Sequence, residues 1–443
     1  MKYSQKLAIS VVLVLVAGLA LVGAGCNDVP VEQGSTSSSR RGVASDTSDL
    51  GSLSEVELIQ PADLEYQGAF RMPAGPDTEA HSWGWGGSAL AYYPSGDPEG
   101  TDDYPGSLFG SGHDQYQYIS EVDIPEPVIS ESKNLADLNT ATSLQGFYDI
   151  RGETLELPRI GLEYFPKRGE QTSGKLYYAW GEHMQENDGR ASHGWFDVDL
   201  ANPDTQGPWF MTDEMNYATT DYIFAIPDAW AEKYSLGNLL ATGRFRDGGQ
   251  GTQGPSLFAY GPWNDGNPPP AGASLENIPL LKYSSVYDDP DGEMALDDYH
   301  HSDNWSGGSW LTAIDKTAVI FAGVKGEGDN WYGYQDGTEW PEEGPWPEPG
   351  DGERGWWSDS FAGQLIFYDP NDLAAVARGE METYEPQPYT SLNIDDILFY
   401  TPEDEMRYLG GVTFDRERGL LYISEYRGDQ KTERPLIHVW QVE

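Results

Sequence analysis

Tyr408–Tyr426 reads YLGGVTFDRERGLLYISEY. Two short β-prone runs, LGGVTF and LLYISEY, flank DRERG, a polar segment that closes on glycine. This is the pattern of an antiparallel hairpin. A third run, PLIHVWQV, follows at Pro435–Val442. The same triplet of runs recurs upstream. Gly86–Pro125 holds GGSALAYYPSG, GSLFGSGHDQ and QYISEVDIP. Ile160–Leu200 holds IGLEYFPKRG, GKLYYAWGEH and HGWFDVDL. Asp221–Trp263 holds DYIFAIPD, NLLATGRFRD and PSLFAYGPW, and Ser309–Pro370 holds SWLTAIDK, TAVIFAGVKG and GQLIFYDP.

One more strand is expected ahead of each triplet. The candidates are LEYQGAFRM from Leu64, LQGFYDI from Leu144, GPWFMTD from Gly207, LLKYSSV from Leu280 and DILFYTP from Asp396. Four antiparallel strands repeated in this way make a propeller blade, because each unit has an apolar face that only its neighbours can bury. The expectation is an all-β, five-bladed propeller over Pro61–Glu443. Six blades, with the sixth hidden in a long insertion, is the alternative. DAWAEKYS and DLAAVARGE read as short helical connectors. In these blade runs, and most clearly in the Tyr408–Tyr426 stretch, the chain resembles secreted bacterial propeller proteins over most of its length. The resemblance implies architecture alone, since propellers host hydrolases, lyases, lectins and scaffolds.

The N-terminus reads differently. Lys2 and Lys6 precede an apolar run, Leu7–Val22, and then the small residues Gly23, Ala24 and Gly25. This is a secretory signal over residues 1–25. Cys26, the only cysteine, stands where a bacterial lipoprotein carries its acyl chains. VGAGC resembles that lipobox at Ala24, Gly25 and Cys26 and departs from it at Gly23, where leucine is usual. The expected location is therefore extracytoplasmic, with membrane contact only through a lipid on Cys26, or fully secreted if Cys26 is unmodified. Residues 26–60 are rich in Ser and Gly without apolar period and read as a flexible tether.

Net charge is −47, with 73 acidic against 26 basic residues, and the acids run through the whole chain. Nucleic acid and anionic membrane surfaces would be repelled. A divalent cation such as calcium is compatible with this composition.

With strands running alternately up and down, the loops after every second strand share one end of the ring. Six of the seven histidines fall in those loops, and only His438 does not. They are His81 beside Trp83; His113 beside Asp114; His183 and His193 in a loop with Glu182; and the pair His300 and His301. Arg244, Arg246, Asp247, Glu425 and Arg427 join them. The longest such loop, Gly326–Ser360, carries Trp331, Trp340, Trp356 and Trp357 among other aromatics and reads as a lid. Constellations drawn from several loops on a rigid scaffold are where sites form.

Several chemistries use such a set. His113, His183 and His193 with Glu182 or Asp114, joined by His300 or His301, would hold a metal. A polysaccharide lyase would use Arg244 and Arg246 to neutralise a uronate and a histidine or tyrosine as base. A glycosidase would draw a carboxylate pair from Asp114, Glu182, Asp247 and Glu425. Trp331, Trp340, Trp356, Trp357, His81, Trp83 and Arg427 would line a carbohydrate. Capture of a glycan or protein without turnover is the competing reading.

Overall fold

The computed structural model describes residues 56–443 apart from 76–77, 99–103, 153–154, 156–157, 170, 183–189, 247–251, 266–267, 286–288, 290–291, 342–343, 346–353 and 401–407. The expected signal sequence over residues 1–25 and Cys26 lie outside the described residues.

A short strand, β1 (Glu57–Leu58), runs parallel to Lys316–Thr317, and Ile59 after it is fully buried. The stretch read as tether thus docks a few residues before Pro61, because Ile59 finds an apolar seat between blades. Next comes β2 (Leu64–Arg71). Blade I is then β3 (Leu90–Tyr93), β4 (Ser107–Ser111), β5 (Ile119–Asp123) and β6 (Ser143–Tyr148). Blade II is β7 (Pro158–Phe165), β8 (Lys175–Glu182), β9 (His193–Phe196) and β10 (Gln206–Met211). Blade III is β11 (Tyr222–Ala225), β12 (Leu240–Gly243), β13 (Leu257–Tyr260) and β15 (Asn277–Leu281), with helix α1 (Asp228–Tyr234) between its first two strands. The two-residue β14 (Ser274–Leu275) pairs with β10 of blade II. Blade IV is β16 (Asn304–Thr312), β17 (Lys316–Gly333), β18 (Gly355–Tyr368) and, after helix α2 (Pro370–Ala377), β19 (Thr390–Asn393). Blade V is β20 (Leu409–Asp415), β21 (Leu420–Asp429) and β22 (Arg434–Val442), completed on its outer edge by β2.

The molecule is a five-bladed β-propeller of four-stranded antiparallel sheets. The strand phase differs from the sequence reading. The runs expected to open each copy instead close the preceding blade on its outside: LQGFYDI is β6, GPWFMTD is β10 and the start of LLKYSSV is β15. LEYQGAFRM, at the head of the chain, closes the last blade. The described part of DILFYTP, Asp396–Tyr400, is not a strand. The outer strand of blade IV is Thr390–Asn393, and Leu398 within the misread run is buried in the core. Both helical connectors form where expected.

Apolar clusters fill the gaps between blades. Ala91, Phe109, Ile160, Leu162 and Tyr178 join blades I and II. Val324, Leu365, Val412 and Ile423 join blades IV and V. Phe70, Leu90, Leu108, Tyr422 and Ile437 join V to I. Two β-branched or aromatic faces per sheet meet two neighbours, so burial of this kind is complete only in a closed ring.

The opening stretch shows how the local sequence does this. Asp415 accepts hydrogen bonds from the amides of Glu417 (3.0 Å) and Arg418 (3.3 Å), and Gly419 turns the chain at φ +71°. Gly410 faces the axis, where a Cβ would stand 2.3 Å from the Gly87 carbonyl oxygen of the next blade. The ring closes by pairing β2 with β22 from Leu64↔Val442 to Arg71↔Leu436. Arg71 adds an ion pair to Asp429 at 2.5 Å.

Candidate functional site

Antiparallel alternation puts the loop between the second and third strands of each blade at the same end as the connections between blades. Contacts tie these loops together. The His113 amide donates to the Ser82 carbonyl (3.0 Å) and the Asp114 amide to the Trp85 carbonyl (3.0 Å). The Tyr426 hydroxyl donates to the same Trp85 carbonyl at 2.7 Å. The Trp305 amide donates to the Phe245 carbonyl at 2.8 Å.

Sharing an end does not make one cluster. Around blades V and I, His113 Nδ1 lies 3.2 Å from Asp114 Oδ1, and its Nε2 lies 3.8 Å from Glu79 Oε1. His81 is exposed, with Nδ1 3.2 Å from Thr78 Oγ1 and its ring edge-on to Tyr118. Arg427 lies over the Trp85 ring at 4.2 Å and near Tyr400. Trp83 is buried against Phe147, so it is a core residue rather than a ligand surface.

Between blades II and III the arginines meet an aspartate that the sequence reading passed over. Asp221 accepts from Arg159 Nε at 3.0 Å and from Arg244 Nη1 at 3.3 Å. Arg244 is 0% exposed, stacks over Tyr217 at 3.6 Å and donates Nε to the Arg246 carbonyl at 2.8 Å. Arg244 therefore does not present its guanidinium to a uronate from solvent. Arg246, half-buried beside Phe245, stands nearer the lip. A carboxylate immediately before an apolar run, as in TTDYIF, was the available signal for Asp221.

His193 belongs to strand β9, not to a loop. It is fully buried, with Nδ1 3.0 Å from Ser192 Oγ and Nε2 3.2 Å from Thr242 Oγ1. Burial pushes its imidazole down to about 3, so it stays neutral. Glu182 ends strand β8 and is half-buried. His183 and Asp247 lie outside the described residues. Glu425 is also fully buried. It accepts from His438 Nε2 at 2.8 Å and from the Tyr400 amide at 2.5 Å. His438 Nδ1 in turn lies 2.8 Å from the Tyr66 hydroxyl. The histidine set aside on sequence grounds thus holds the ring closed, with Glu425 as its partner.

The two flanks of the aromatic stretch of blade IV are strand, not irregular loop. β17 and β18 stay paired to Gly333↔Gly355, with a bulge between Glu327 and Asn330, so a two-stranded arm extends the blade. Alternation decides which aromatics face inward. Trp357 is buried beside Phe361, whereas Trp356 is half-buried and stacks on His301 at 4.1 Å between centroids and 23° between planes. Tyr332 meets Trp356 edge-on at 5.4 Å. Trp331 donates to the Tyr334 carbonyl at 2.9 Å, and Arg354 lies 4.3 Å over Trp340. A polar knot anchors the arm. Ser358 Oγ lies 2.9 Å from His300 Nδ1 and 2.8 Å from Ser302 Oγ. Buried Asp303 pairs with Lys325 at 3.1 Å and accepts from the amides of His300 and Gly326. Burial lifts the Asp303 carboxyl to about 6 against the pull of Lys325. Burial and the nearby Lys325 charge hold His300 below its usual range.

Among the described residues no three His, Cys, Asp or Glu side chains gather closely enough to hold a metal ion. No protein-family model matches the chain, and no curated protein does. One similar solved structure is described as the structure of the Dos1 propeller. It is 11% identical, with 84% of this chain and 73% of that chain covered and a TM-score of 0.28. The five sheets themselves establish the fold.

Proposed function

We propose that the protein is an extracytoplasmic propeller, tethered through a lipid on Cys26, that captures carbohydrate without cleaving it. The observation that carries this reading is the His301–Trp356 stack beside Tyr332, on an arm raised above blade IV. A rigid, partly exposed aromatic shelf suits the C–H face of a sugar ring, and its surroundings are polar. Capture is favoured over cleavage because several groups that a catalytic site would draw on are already committed. Arg244 is sealed on Asp221, Glu425 on His438, and His193 is buried and neutral. The excess of negative charge favours neutral over acidic glycans as ligand and disfavours nucleic acid.

The test is affinity electrophoresis of the purified protein and of Trp356→Ala through gels holding neutral or acidic polysaccharides. Retardation lost in the variant, with the polysaccharide intact, supports capture. New ultraviolet absorbance from an unsaturated uronate would establish a lyase, and new reducing ends alone a hydrolase; either overturns the capture reading. Equal retardation of both proteins removes the shelf.

A further inference from the structure

We propose a second binding site, one that takes an organic cation carrying N–H donors: an alkylammonium or guanidinium group. A cleft of about 710 Å³ lies between the connection into blade IV, at Asp289 and from Gly292 to His301, and the Met381–Gln387 segment after α2. Among the described residues, five carboxylates line it, from Asp289, Glu293, Asp297, Asp298 and Glu385, and no lysine or arginine does. Two lysines adjoining this region are engaged with other partners. Lys282 pairs with Glu214, and Lys325 pairs with Asp303 while donating to the Asp298 carbonyl. Five like charges around one cleft raise the local concentration of cations.

Negative charge alone would not specify a ligand. The second observation is Gln253 on the cleft wall. It is 2% exposed, and its side-chain oxygen has no hydrogen-bond partner. A buried acceptor left unmade costs free energy that an N–H donor in the cleft would recover. Tyr299 and Tyr384 add aromatic walls suited to a cation. A bare metal ion fits poorly, because no three of the described carboxylates gather at metal-binding range. The spread of charge across the cleft suits a longer cation, either a polyamine or a lysine or arginine side chain. The site stands apart from the glycan proposal; only His301 borders both.

The test is titration calorimetry of the purified protein at physiological ionic strength. Spermidine and a lysine amide separate the two sources of the ammonium group, and saturable one-site binding of either supports the proposal. Asp297→Asn with Asp298→Asn, both exposed side chains, should weaken binding about tenfold or more with an unchanged circular dichroism spectrum. Gln253→Leu should weaken it to a similar degree. Tetramethylammonium, which has no N–H to donate, should bind at least about tenfold less tightly. Glu232→Gln, an exposed acid on α1, should leave affinity unchanged. The proposal is overturned if no saturable heat appears, or if the double variant binds as the parent does. It fails equally if Glu232→Gln weakens binding as much as the double variant, or if calcium displaces the amine at equal concentration.

Discussion

His193 and His301 start from the same expectation and end in opposite circumstances. Both come from the histidine-bearing end of the ring. His193 sits inside blade II, where strands β8 to β10 and the start of blade III enclose it, and burial strips its charge. His301 precedes blade IV, where the arm extends the sheet, Trp356 stacks on the imidazole and Tyr299 meets it edge-on. The end of the ring to which a residue belongs is therefore a weak guide to whether solvent reaches it. The neighbouring elements decide: His193 is enclosed within its sheet, and His301 lies half-buried beside the arm.

The sealed side of this contrast can be broken most severely at Asp221. Asp221→Asn strands Arg159 and Arg244 in the interior and should cost about 3–5 kcal/mol, read as the drop in the urea midpoint. A midpoint within error of the parent would mean that the guanidinium groups find other partners. The next test uses pH. An unfolded histidine binds a proton near 6.5, whereas folded His193 does so only near 3. Stability should therefore be lost as pH falls between those values, at up to about 1.4 kcal/mol per pH unit from this group. In His193→Asn that slope should be shallower in a series of urea melts across the window. An unchanged slope would place the proton uptake elsewhere.

The open side can be sharpened at His301. His301→Ala removes the stack on Trp356 and should cost about 1 kcal/mol of stability while weakening glycan retardation, separating shelf from scaffold. The smallest effect is expected at the ring closure. Burial alone would raise the Asp429 carboxyl, but the hydrogen bond and charge of Arg71, aided by Thr432 and Arg434, outweigh it and hold Asp429 below its usual range. A carboxyl depressed in the folded state adds stability above its unfolded value, and that stability is lost as acid protonates it. Arg71→Met should therefore lower stability at neutral pH by about 1 kcal/mol or less and leave acid stability nearly unchanged, measured by thermal melts at both values.

The blades were legible because β-strand periodicity and turn chemistry are local. Asp415 and Gly419 close their hairpin with groups a few residues apart, and the triplet of runs repeats because every blade solves the same burial problem. The outer strands were harder. β19 reads TSLN, with little apolar character, while ILF seven residues later looks more strand-like and is core filling instead. The site was legible only as a set of loops. His113, His300, His301 and Trp356 are half-buried, while Arg244, Glu425, His193, Trp83 and Trp357 turn inward.

Residue order along the chain thus determined the repeat, the class of fold, the acidic surface and the end of the ring where histidines gather. Tertiary structure alone decided which polar side chains are spent on one another. Asp221 meets Arg244 across 23 positions, His438 joins Tyr66 across 372, and Gln253, Asp297 and Glu385 come to line one cleft. Pairing and desolvation depend on distance through space, which closing a ring of sheets sets and no run of neighbouring residues contains.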